Sequence, residues 1–254
     1  MTDIEQLIAL YAKNSKHSNY QILSNKLSNI IDKKDITVFS RYEKERLEYI
    51  LKNINITDKT ILDIGGNSGF FSFEMIEAGA KHVLYYEGNN EHSEFVKLSA
   101  KILKVNDKVS IFSQYYSFND ELIDKVDITL LLNVLHHIGD DYGSKELALK
   151  NAKEEIIKQM NSFANKTSIL VFQLGFNWKG NRNIGLFEKG TKEEMIEFVK
   201  QETQQNWEII KIGVAQKKSG KIIYEDLDNK NIQRDDSLGE FLNRPLFILK
   251  PRTS

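Results

Sequence analysis

Two adjacent histidines, His136 and His137, follow a short apolar run in the sequence LLNVLHHIGDDYG. An imidazole changes charge near neutral pH, so a histidine just beyond a strand can take a proton from a hydroxyl group. Either residue is therefore a candidate general base, and the alternative is that one ring serves only for packing. Adjacent ligands point in different directions, so we expect no metal here, but Asp140 and Asp141 follow closely enough that a metal site remains an alternative.

A glycine-rich turn lies earlier in the chain, in the sequence LDIGGNSGFF. Thr60–Ile64 is typical of a buried strand, the chain turns at Gly65 and Gly66, and a helix is predicted to begin near Gly69. Glycine allows positive φ angles and lets a ligand approach the backbone closely. The helix that follows directs free N–H groups toward the carboxyl end of the strand, where α/β sheets bind ligands.

Two carboxylates flank this turn. Glu87 ends the next predicted strand, 22 residues after Gly65, where a carboxylate can accept hydrogen bonds from both hydroxyls of a ribose. That spacing suits both a nicotinamide dinucleotide and S-adenosylmethionine (SAM). The glycine pattern is G-G-x-x-G rather than G-x-G-x-x-G, and the carboxylate of Asp63 would repel a pyrophosphate. SAM carries an ammonium and a sulfonium and no phosphate, so the charges favour SAM.

Strand and helix patterns alternate from residue 60 onward. Strands are predicted at Thr60–Ile64, His82–Tyr86, Val109–Phe112, Asp127–Leu132 and Thr167–Gln173, and later at about 206–213 and 244–249. Helices are predicted at about 69–78, 90–104, 144–164 and 191–204. This alternation indicates a parallel sheet covered by helices on both faces. Residues before 55 have helical periodicity, with Ser40 and Glu43 as a candidate capping box, and the polar stretch before the last strand has room for a short hairpin.

Three segments together resemble motifs I, II and IV of the class I SAM-dependent methyltransferases: ILDIGGNSGFFS, VLYYEGN and DITLLLNVLHHI. The resemblance covers roughly residues 60–175. It implies a Rossmann-like, seven-stranded, mostly parallel sheet with one antiparallel strand, helices on both faces and an N-terminal helical extension. We therefore expect a helical cap at 1–55 and a methyltransferase domain at 56–254, forming one globular unit. Asn67 replaces the middle glycine of the family loop, and asparagine tolerates positive φ better than most residues.

The resemblance also implies which residues would hold SAM and its product, S-adenosylhomocysteine. Those expected around the methionine end are Asp63, Gly65, Gly66, Asn67, Gly69, Asn133 and Val134. Those expected around the ribose and the adenine are Glu87, Gly88, Gln114 and Tyr115. It further places the two histidines beside the methyl group.

Polar, aromatic and basic residues gather after the fifth predicted strand, in FQLGFNWKGNR. Loops at the carboxyl ends of strands often carry function, so we expect acceptor contacts there. The candidates in this loop are Gln173, Asn177, Trp178, Lys179 and Arg182. Lys179 and Arg182 suit a phosphate or carboxylate, and Trp178 suits a ring. Arg41 and Tyr42 are further candidates, since helices ahead of the first strand in this family often close over the cofactor. The alternative for the loop is a solvated surface segment.

Composition narrows the function. The 35 basic and 36 acidic residues give a net charge of −1, so no overall field attracts a polyanion. Cysteine is absent, and the sequence contains neither a signal-peptide pattern nor an apolar run long enough for a membrane span, so we expect a cytoplasmic protein without a membrane partner. The only prolines, Pro245 and Pro251, exclude the D/N-P-P-Y/F motif of many nitrogen methyltransferases, which favours an oxygen acceptor.

The sequence also faintly resembles bacterial methyltransferases of surface polysaccharides, including those that act on a capsule phosphoramidate. It therefore predicts a SAM-dependent O-methyltransferase for a small acceptor, phosphorylated or nucleotide-linked, and leaves the oligomeric state open. A tRNA methyltransferase is an alternative, supported only by lysine clusters at 101–108 and 217–221. An NAD(P)-dependent dehydrogenase is a further alternative, but the sequence lacks the Tyr-x-x-x-Lys pair of short-chain dehydrogenases, because only two residues separate Tyr142 from Lys145. A non-catalytic SAM-fold protein is the last alternative.

Overall fold

The structure is a computed structural model and describes residues 1–13, 17–18, 20–31, 34, 36–118 and 125–252. Contacts divide the chain into two compact units. Unit 1 comprises Met1–Leu47 and Leu51–Tyr116, and unit 2 comprises Glu48–Ile50 and Ser117–Ser254. The expected division into a cap at 1–55 and a domain at 56–254 stays a prediction.

Unit 1 contains three parallel strands in the order β3-β2-β1. The strands are β1 (Thr60–Ile64), β2 (His82–Tyr86) and β3 (Val109–Phe112). The helices of this part of the chain are α1 (Asp3–Ala12), α2 (Asn25–Ser28), α3 (Glu43–Asn53), α4 (Phe70–Glu77) and α5 (Asn90–Leu103), with α3 divided between the two units. The register pairs Asp63 with Tyr85, so both side chains lie at the carboxyl ends of their strands.

The helix starts in unit 1 follow local capping chemistry. Thr2 and Glu5 form a capping box at α1, and the side chain of Asn89 accepts hydrogen bonds from two N–H groups at the start of α5. The predicted capping box of α3 is wrong. The helix begins at Glu43, so Ser40 lies ahead of the cap position, where its hydroxyl accepts from Tyr42 N and donates to the Glu43 carboxylate.

Unit 2 contains five strands in the order β4-β5-β8-β6-β7. The strands are β4 (Val126–Leu132), β5 (Thr167–Gln173), β6 (Trp207–Lys218), β7 (Lys221–Asp226) and β8 (Leu246–Pro251). The helices are α6 (Leu149–Asn161), α7 (Lys192–Thr203) and α8 (Gly239–Leu242), and short 3-10 turns lie at Leu135–His137, Trp178–Gly180 and Asp236–Leu238. β4 and β5 are parallel, whereas β8 is antiparallel to both β5 and β6.

The predicted fold class is confirmed, since the strands form an α/β sheet that is mostly parallel and has helices around it. The sheet has eight strands rather than seven. The additional strand, β7, comes from the polar stretch in which a short hairpin was expected, and it pairs antiparallel with β6. Ser219 and Gly220 join the two strands with φ angles of 50° and 80°, the positive φ pair that a tight hairpin turn requires.

The predicted bounds of the first five strands agree with the structure to within one residue. β6 extends five residues beyond its predicted end at 213, and β8 lies two residues later than the predicted 244–249. The predicted helix at 144–164 is shorter than expected. α6 begins only at Leu149, because the residues ahead of it form a compact loop in which Ile138 and Tyr142 make an isolated β-bridge. The Tyr142 hydroxyl donates to the carbonyl of Leu135 at 3.2 Å and closes that loop. Among the described residues, every helix is too short or too polar to cross a membrane.

Candidate active site

The glycine turn of unit 1 has the left-handed backbone that its sequence predicts. The φ angles are 68° at Gly65, 52° at Asn67 and 79° at Gly69. Side chains disfavour this region, and glycine and asparagine are the residues that tolerate it best. Asn67 therefore replaces a glycine without changing the path of the turn.

Gly66 lies directly on the ring of Tyr85. A Cβ atom at Gly66 would be 2.5 Å from Cε2 of Tyr85 and 3.0 Å from Oδ2 of Asp63. Tyr85 is fully buried, and its hydroxyl donates to the backbone carbonyl of Asn67. Because both ends of the tyrosine are held, only glycine fits at this position.

Glu87 is tied to the same turn. One carboxylate oxygen accepts from Asn67 N at 2.9 Å, and the other accepts from Asn89 N at 2.8 Å. A carboxylate oxygen has two lone pairs and can accept more than one hydrogen bond. The residue predicted to bind ribose thus also fixes the turn to the start of α5.

Asp63 is a buried acid beneath the turn, with 3% of its surface exposed. Burial raises the pKa of this carboxyl to about 6, and the charge of Glu87 raises it by a smaller amount. The Ser72 hydroxyl, which donates to Oδ2 at 2.6 Å, lowers the pKa and so opposes both. Above about pH 6 the group is therefore an ionised, poorly solvated carboxylate, which favours a cation nearby.

Asp63 should make the stability of the protein depend on pH. Its pKa is about 6 in the fold and 3.8 ordinarily, so the folded protein holds this proton more tightly and loses stability as pH rises between these values. We expect Asp63→Asn to stabilise the protein by on the order of 3 kcal/mol at about pH 8 and hardly at all near pH 4. Thermal unfolding across this range measures the difference. The exposed Asp107→Asn is the control, and parallel curves for D63N and wild type would contradict the raised pKa.

The residues predicted around adenine lie at the ends of β2 and β3. A Cβ atom at Gly88 would be 2.3 Å from the ring of Tyr115, so these two residues are in contact. Tyr115 is 50% exposed and Gln114 is exposed. The ring of Tyr86 stacks on that of Phe112 at 4.4 Å with an interplanar angle of 12°.

Arg41 and Tyr42 precede α3 in unit 1. The Arg41 guanidinium lies 4.8 Å from the ring centroid of Tyr20, and the Glu43 carboxylate accepts from Arg41 N at 2.9 Å. Tyr42 has a φ angle of 58°, an unusual value for a bulky residue. Both candidates are half-buried, and Arg41 has an aromatic partner that the sequence did not indicate.

In unit 2, Asn133 follows β4 with a φ angle of 62° and is held by a network of hydrogen bonds. Its Nδ2 donates to Oε1 of Gln173 at 2.9 Å, and its Oδ1 accepts from Nη1 of Arg244 at 2.8 Å. Gln173 is fully buried and donates from Nε2 to the Arg244 carbonyl at 3.0 Å. The side-chain amide of Gln173 is thus engaged within the protein at both ends, although it was predicted to contact the acceptor. Val134 is half-buried, and its carbonyl accepts from His137 N at 2.9 Å.

Arg244 is anchored by Glu240. Its Nε and Nη2 donate to the two carboxylate oxygens of Glu240 at 3.0 and 2.6 Å, a bidentate pair. The arginine side chain is 12% exposed. Such a partly buried, two-pronged ion pair fixes the guanidinium, which in turn fixes Asn133.

The two histidines differ in their surroundings. His136 is 2% exposed, its Nδ1 accepts from Gly175 N at 3.2 Å, and a Cβ atom at Gly175 would be 2.8 Å from the ring. His137 is 16% exposed, and its Nδ1 lies 3.3 Å from Oδ2 of Asp141. The carboxylate lies beside Nδ1, which leaves Nε2 as the atom that can exchange a proton with a substrate. The arrangement favours His137 over His136 as a general base.

The loop after β5 reaches the loop that carries the histidines. Trp178 is 6% exposed and donates from Nε1 to the Ile138 carbonyl at 2.9 Å. Lys179 has a φ angle of 56°, and its Nζ lies 4.3 Å from the Trp178 ring centroid. A Cβ atom at Gly139 would be 3.1 Å from Cε of Lys179, so the lysine side chain passes over this glycine.

Within the described part of the chain, no carboxylate lies within 4.0 Å of the Lys179 ammonium. Asn177 is half-buried and Arg182 is exposed.

Solved structures of methyltransferases share this fold. The candidate RNA methyltransferase PH1948 from Pyrococcus horikoshii matches with a TM-score of 0.51 over 100% of both chains at 15% identity. The bifunctional kinase-methyltransferase WbdD matches with a TM-score of 0.59 over 97% of this chain at 13% identity. This chain spans 46% of the length of WbdD. A candidate rRNA methylase from Clostridium thermocellum matches with a TM-score of 0.51 over 86% of this chain and 99% of its own at 12% identity.

The chain has a methyltransferase fold. No family model matches the sequence, and no curated protein matches it. At identities of 15% or less, the likeness is one of architecture alone.

Several residues that shape the site were missing from the sequence predictions. Tyr85 was within the quoted segment VLYYEGN, and its buried position follows from strand alternation with Val83. Arg244 follows Glu240 at the i,i+4 spacing of a helical ion pair, which was a usable signal. Gln21, whose side chain contacts the turn, was not indicated by any pattern in the sequence.

Proposed function

We propose that the protein is a SAM-dependent methyltransferase that transfers a methyl group to an oxygen of a small, anionic acceptor. The observation that carries the proposal is the turn of unit 1, in which Gly66 packs on the ring of Tyr85 beside a buried, ionisable Asp63 and Glu87 fixes the turn from the next strand. The turn lies in a fold shared with solved methyltransferases.

The residues of unit 1 fit SAM by charge. The Asp63 carboxylate would attract the ammonium group, and the Glu87 carboxylate would accept from the ribose hydroxyls. Gly88 and Tyr115 would offer adenine a flat contact. SAM supplies a methyl group on a sulfonium, which leaves as a thioether when the acceptor oxygen attacks the methyl carbon. In such a displacement the protein contributes mainly position and a base.

His137 is the base in this proposal. The Asp141 carboxylate lies 3.3 Å from Nδ1, so Nε2 would receive the proton of the acceptor hydroxyl as the oxygen attacks. His136 would support the loop, because its ring is buried against Gly175 and its Nδ1 already accepts a hydrogen bond.

Lys179 supports an anionic acceptor. Its ammonium rests on the Trp178 ring, and no acidic partner lies near it among the residues that the structure describes. A cation held in this way, on the loop that packs against the histidine loop, suits a phosphate or carboxylate. We accordingly propose a phosphorylated or nucleotide-linked metabolite, such as a precursor of a surface polysaccharide or capsule, and a cytoplasmic location.

Lys179→Met should weaken acceptor binding more than it slows turnover. Losing a hydrogen bond to a charged group costs about 1.5–3 kcal/mol, so the KM for an anionic acceptor should rise roughly 10- to 100-fold. Steady-state kinetics with the acceptor identified below measure this split. Lys189→Met removes an exposed lysine from the same loop region and is the control. Equal KM values for K179M and K189M would show that Lys179 does not bind the acceptor.

The proposal is tested first by ligand binding and then by activity. Thermal shift with SAM, S-adenosylhomocysteine and NADH separates the cofactors, and we expect stabilisation by the first two alone. A screen with methyl-labelled SAM against phosphorylated and nucleotide-linked sugars should then reveal an acceptor. Stabilisation by NADH would indicate a dehydrogenase, and failure to bind either cofactor at high concentration would indicate a non-catalytic protein.

An RNA methyltransferase is the second candidate. Two of the similar structures are candidate RNA methyltransferases and one is a bifunctional kinase-methyltransferase, so architecture does not choose between the acceptors. Filter binding to tRNA decides this point. Binding whose logarithm falls steeply with the logarithm of salt concentration would favour RNA, and we expect no such binding.

A further inference from the structure

We infer that Gln21 is a positioning residue of the cofactor turn. Its side-chain oxygen accepts from Phe70 N at 2.9 Å and from Oγ of Ser68 at 3.1 Å. The residue is 8% exposed, so both bonds are sheltered from water. A glutamine from the N-terminal region thereby holds the last part of a turn that lies far along the chain.

The start of α4 needs an acceptor from elsewhere. Gly69 occupies the cap position and has no side chain, and Phe70 carries the first N–H of the helix. An uncapped helix leaves its first N–H groups without partners. Gln21 supplies the missing acceptor, and the same oxygen restrains Ser68, so one amide fixes two neighbouring points of the turn.

Gln21 is itself held in place. The Tyr11 hydroxyl, on the buried face of α1, donates to the Gln21 carbonyl at 2.7 Å. The nearby backbone carbonyl of His17 accepts from Nδ2 of Asn67 at 3.2 Å. The N-terminal segment therefore hydrogen-bonds to Asn67, Ser68 and Phe70. Tyr85 and Glu87 hold the same turn from the side of the sheet.

The consequence is a turn that is preorganised for its ligand. A backbone already held in the binding conformation loses less entropy when a ligand arrives. Removing the acceptor of Gln21 should let the turn fluctuate and weaken cofactor binding. This consequence for binding depends on the proposed function, whereas the restraint of the turn can be tested without any ligand.

Amide hydrogen exchange and calorimetry together form the test. In Gln21→Met, we expect the Phe70 amide to exchange at least about tenfold faster than in wild type, and the Kd of S-adenosylhomocysteine to rise about tenfold. Gln21→Glu should restore both, because a carboxylate oxygen accepts the same two bonds and suits a helix N-terminus. Ala100→Gly, which weakens the interior of α5 in the same unit, is the control and should change neither reading.

The outcomes separate the inference from the proposed function. Unchanged Phe70 exchange in Q21M would refute the positioning role, as would faster exchange with an unchanged Kd. If wild type binds no S-adenosylhomocysteine while Q21M still accelerates Phe70 exchange, the proposed function fails and the restraint of the turn stands. Should Q21M not fold, Gln21→Asn withdraws the amide by one methylene and gives the same two readings.

Discussion

Replacing His137 with alanine is expected to lower kcat by roughly 10²- to 10⁴-fold, the usual contribution of a general base. The reason is the contact between Nδ1 of His137 and Asp141, which leaves Nε2 as the proton-accepting atom. The assay is methyl transfer to the acceptor found in the screen, at saturating SAM. Added imidazole should recover part of the lost rate, because it replaces the missing base without restoring any packing.

Two further variants distinguish chemistry from structure. Asp141→Asn should reduce kcat less than H137A does, since it removes only the group that orients the ring. His136→Ala should lower the melting temperature more than it lowers kcat, because His136 is buried and accepts from the Gly175 backbone. Full turnover by H137A, or an equal loss of kcat in H136A and H137A with no imidazole recovery, would remove His137 as the base.

Replacing Gly66 with alanine is expected to weaken cofactor binding strongly. The new methyl group would lie 2.5 Å from the ring of Tyr85, which is fully buried and bonded to the Asn67 carbonyl, so the ring has no direction in which to move. Overpacking of this kind costs about 1–3 kcal/mol and is relieved only by displacing the turn. We expect the Kd of S-adenosylhomocysteine to rise by roughly 10- to 100-fold, as calorimetry would show.

Gly88→Ala is the matched comparison. Its methyl group would approach the Tyr115 ring at 2.3 Å, but that ring is 50% exposed, whereas the Tyr85 ring is fully buried. The melting temperature should therefore fall much less in G88A than in G66A. Adding Tyr85→Leu to G66A should recover part of the lost binding, since it removes the ring edge that the methyl group meets. Wild-type affinity in G66A would contradict the rigid contact.

The strands and the glycine turn were predictable because they rest on local patterns. Apolar runs bounded by turn residues give the bounds of β1, β2 and β3 directly, since burial and alternation are properties of neighbouring residues. The left-handed backbone at Asn67 likewise follows from a residue type that tolerates it. The motif-based prediction of Glu87 as a ribose-binding residue stays a prediction, and the structure shows its carboxylate bonded to the turn.

The rest of the candidate site depends on partners that no local pattern identifies. Gln21 meets Phe70 across 49 positions, and Arg244 meets Asn133 across 111, so composition and periodicity carry no trace of either bond. The sequence also left the two histidines equivalent, because their difference arises from Gly175 and Asp141 in three dimensions. The capping box at Ser40 failed for a related reason, since the buried Glu43 begins the helix itself.

The position of β8 has a consequence for how unit 2 folds during synthesis. β8 lies between β5 and β6, so neither strand gains this neighbour until residues 246–251 have left the ribosome. Open strand edges favour mispairing, and pairings between distant segments form slowly. Arg244, which fixes Asn133, lies just ahead of β8. The nascent chain therefore completes the sheet of unit 2 and fixes Asn133, the first residue after β4, at the same late stage. A stalled chain that ends before Arg244 and β8 has neither the complete sheet nor a fixed Asn133.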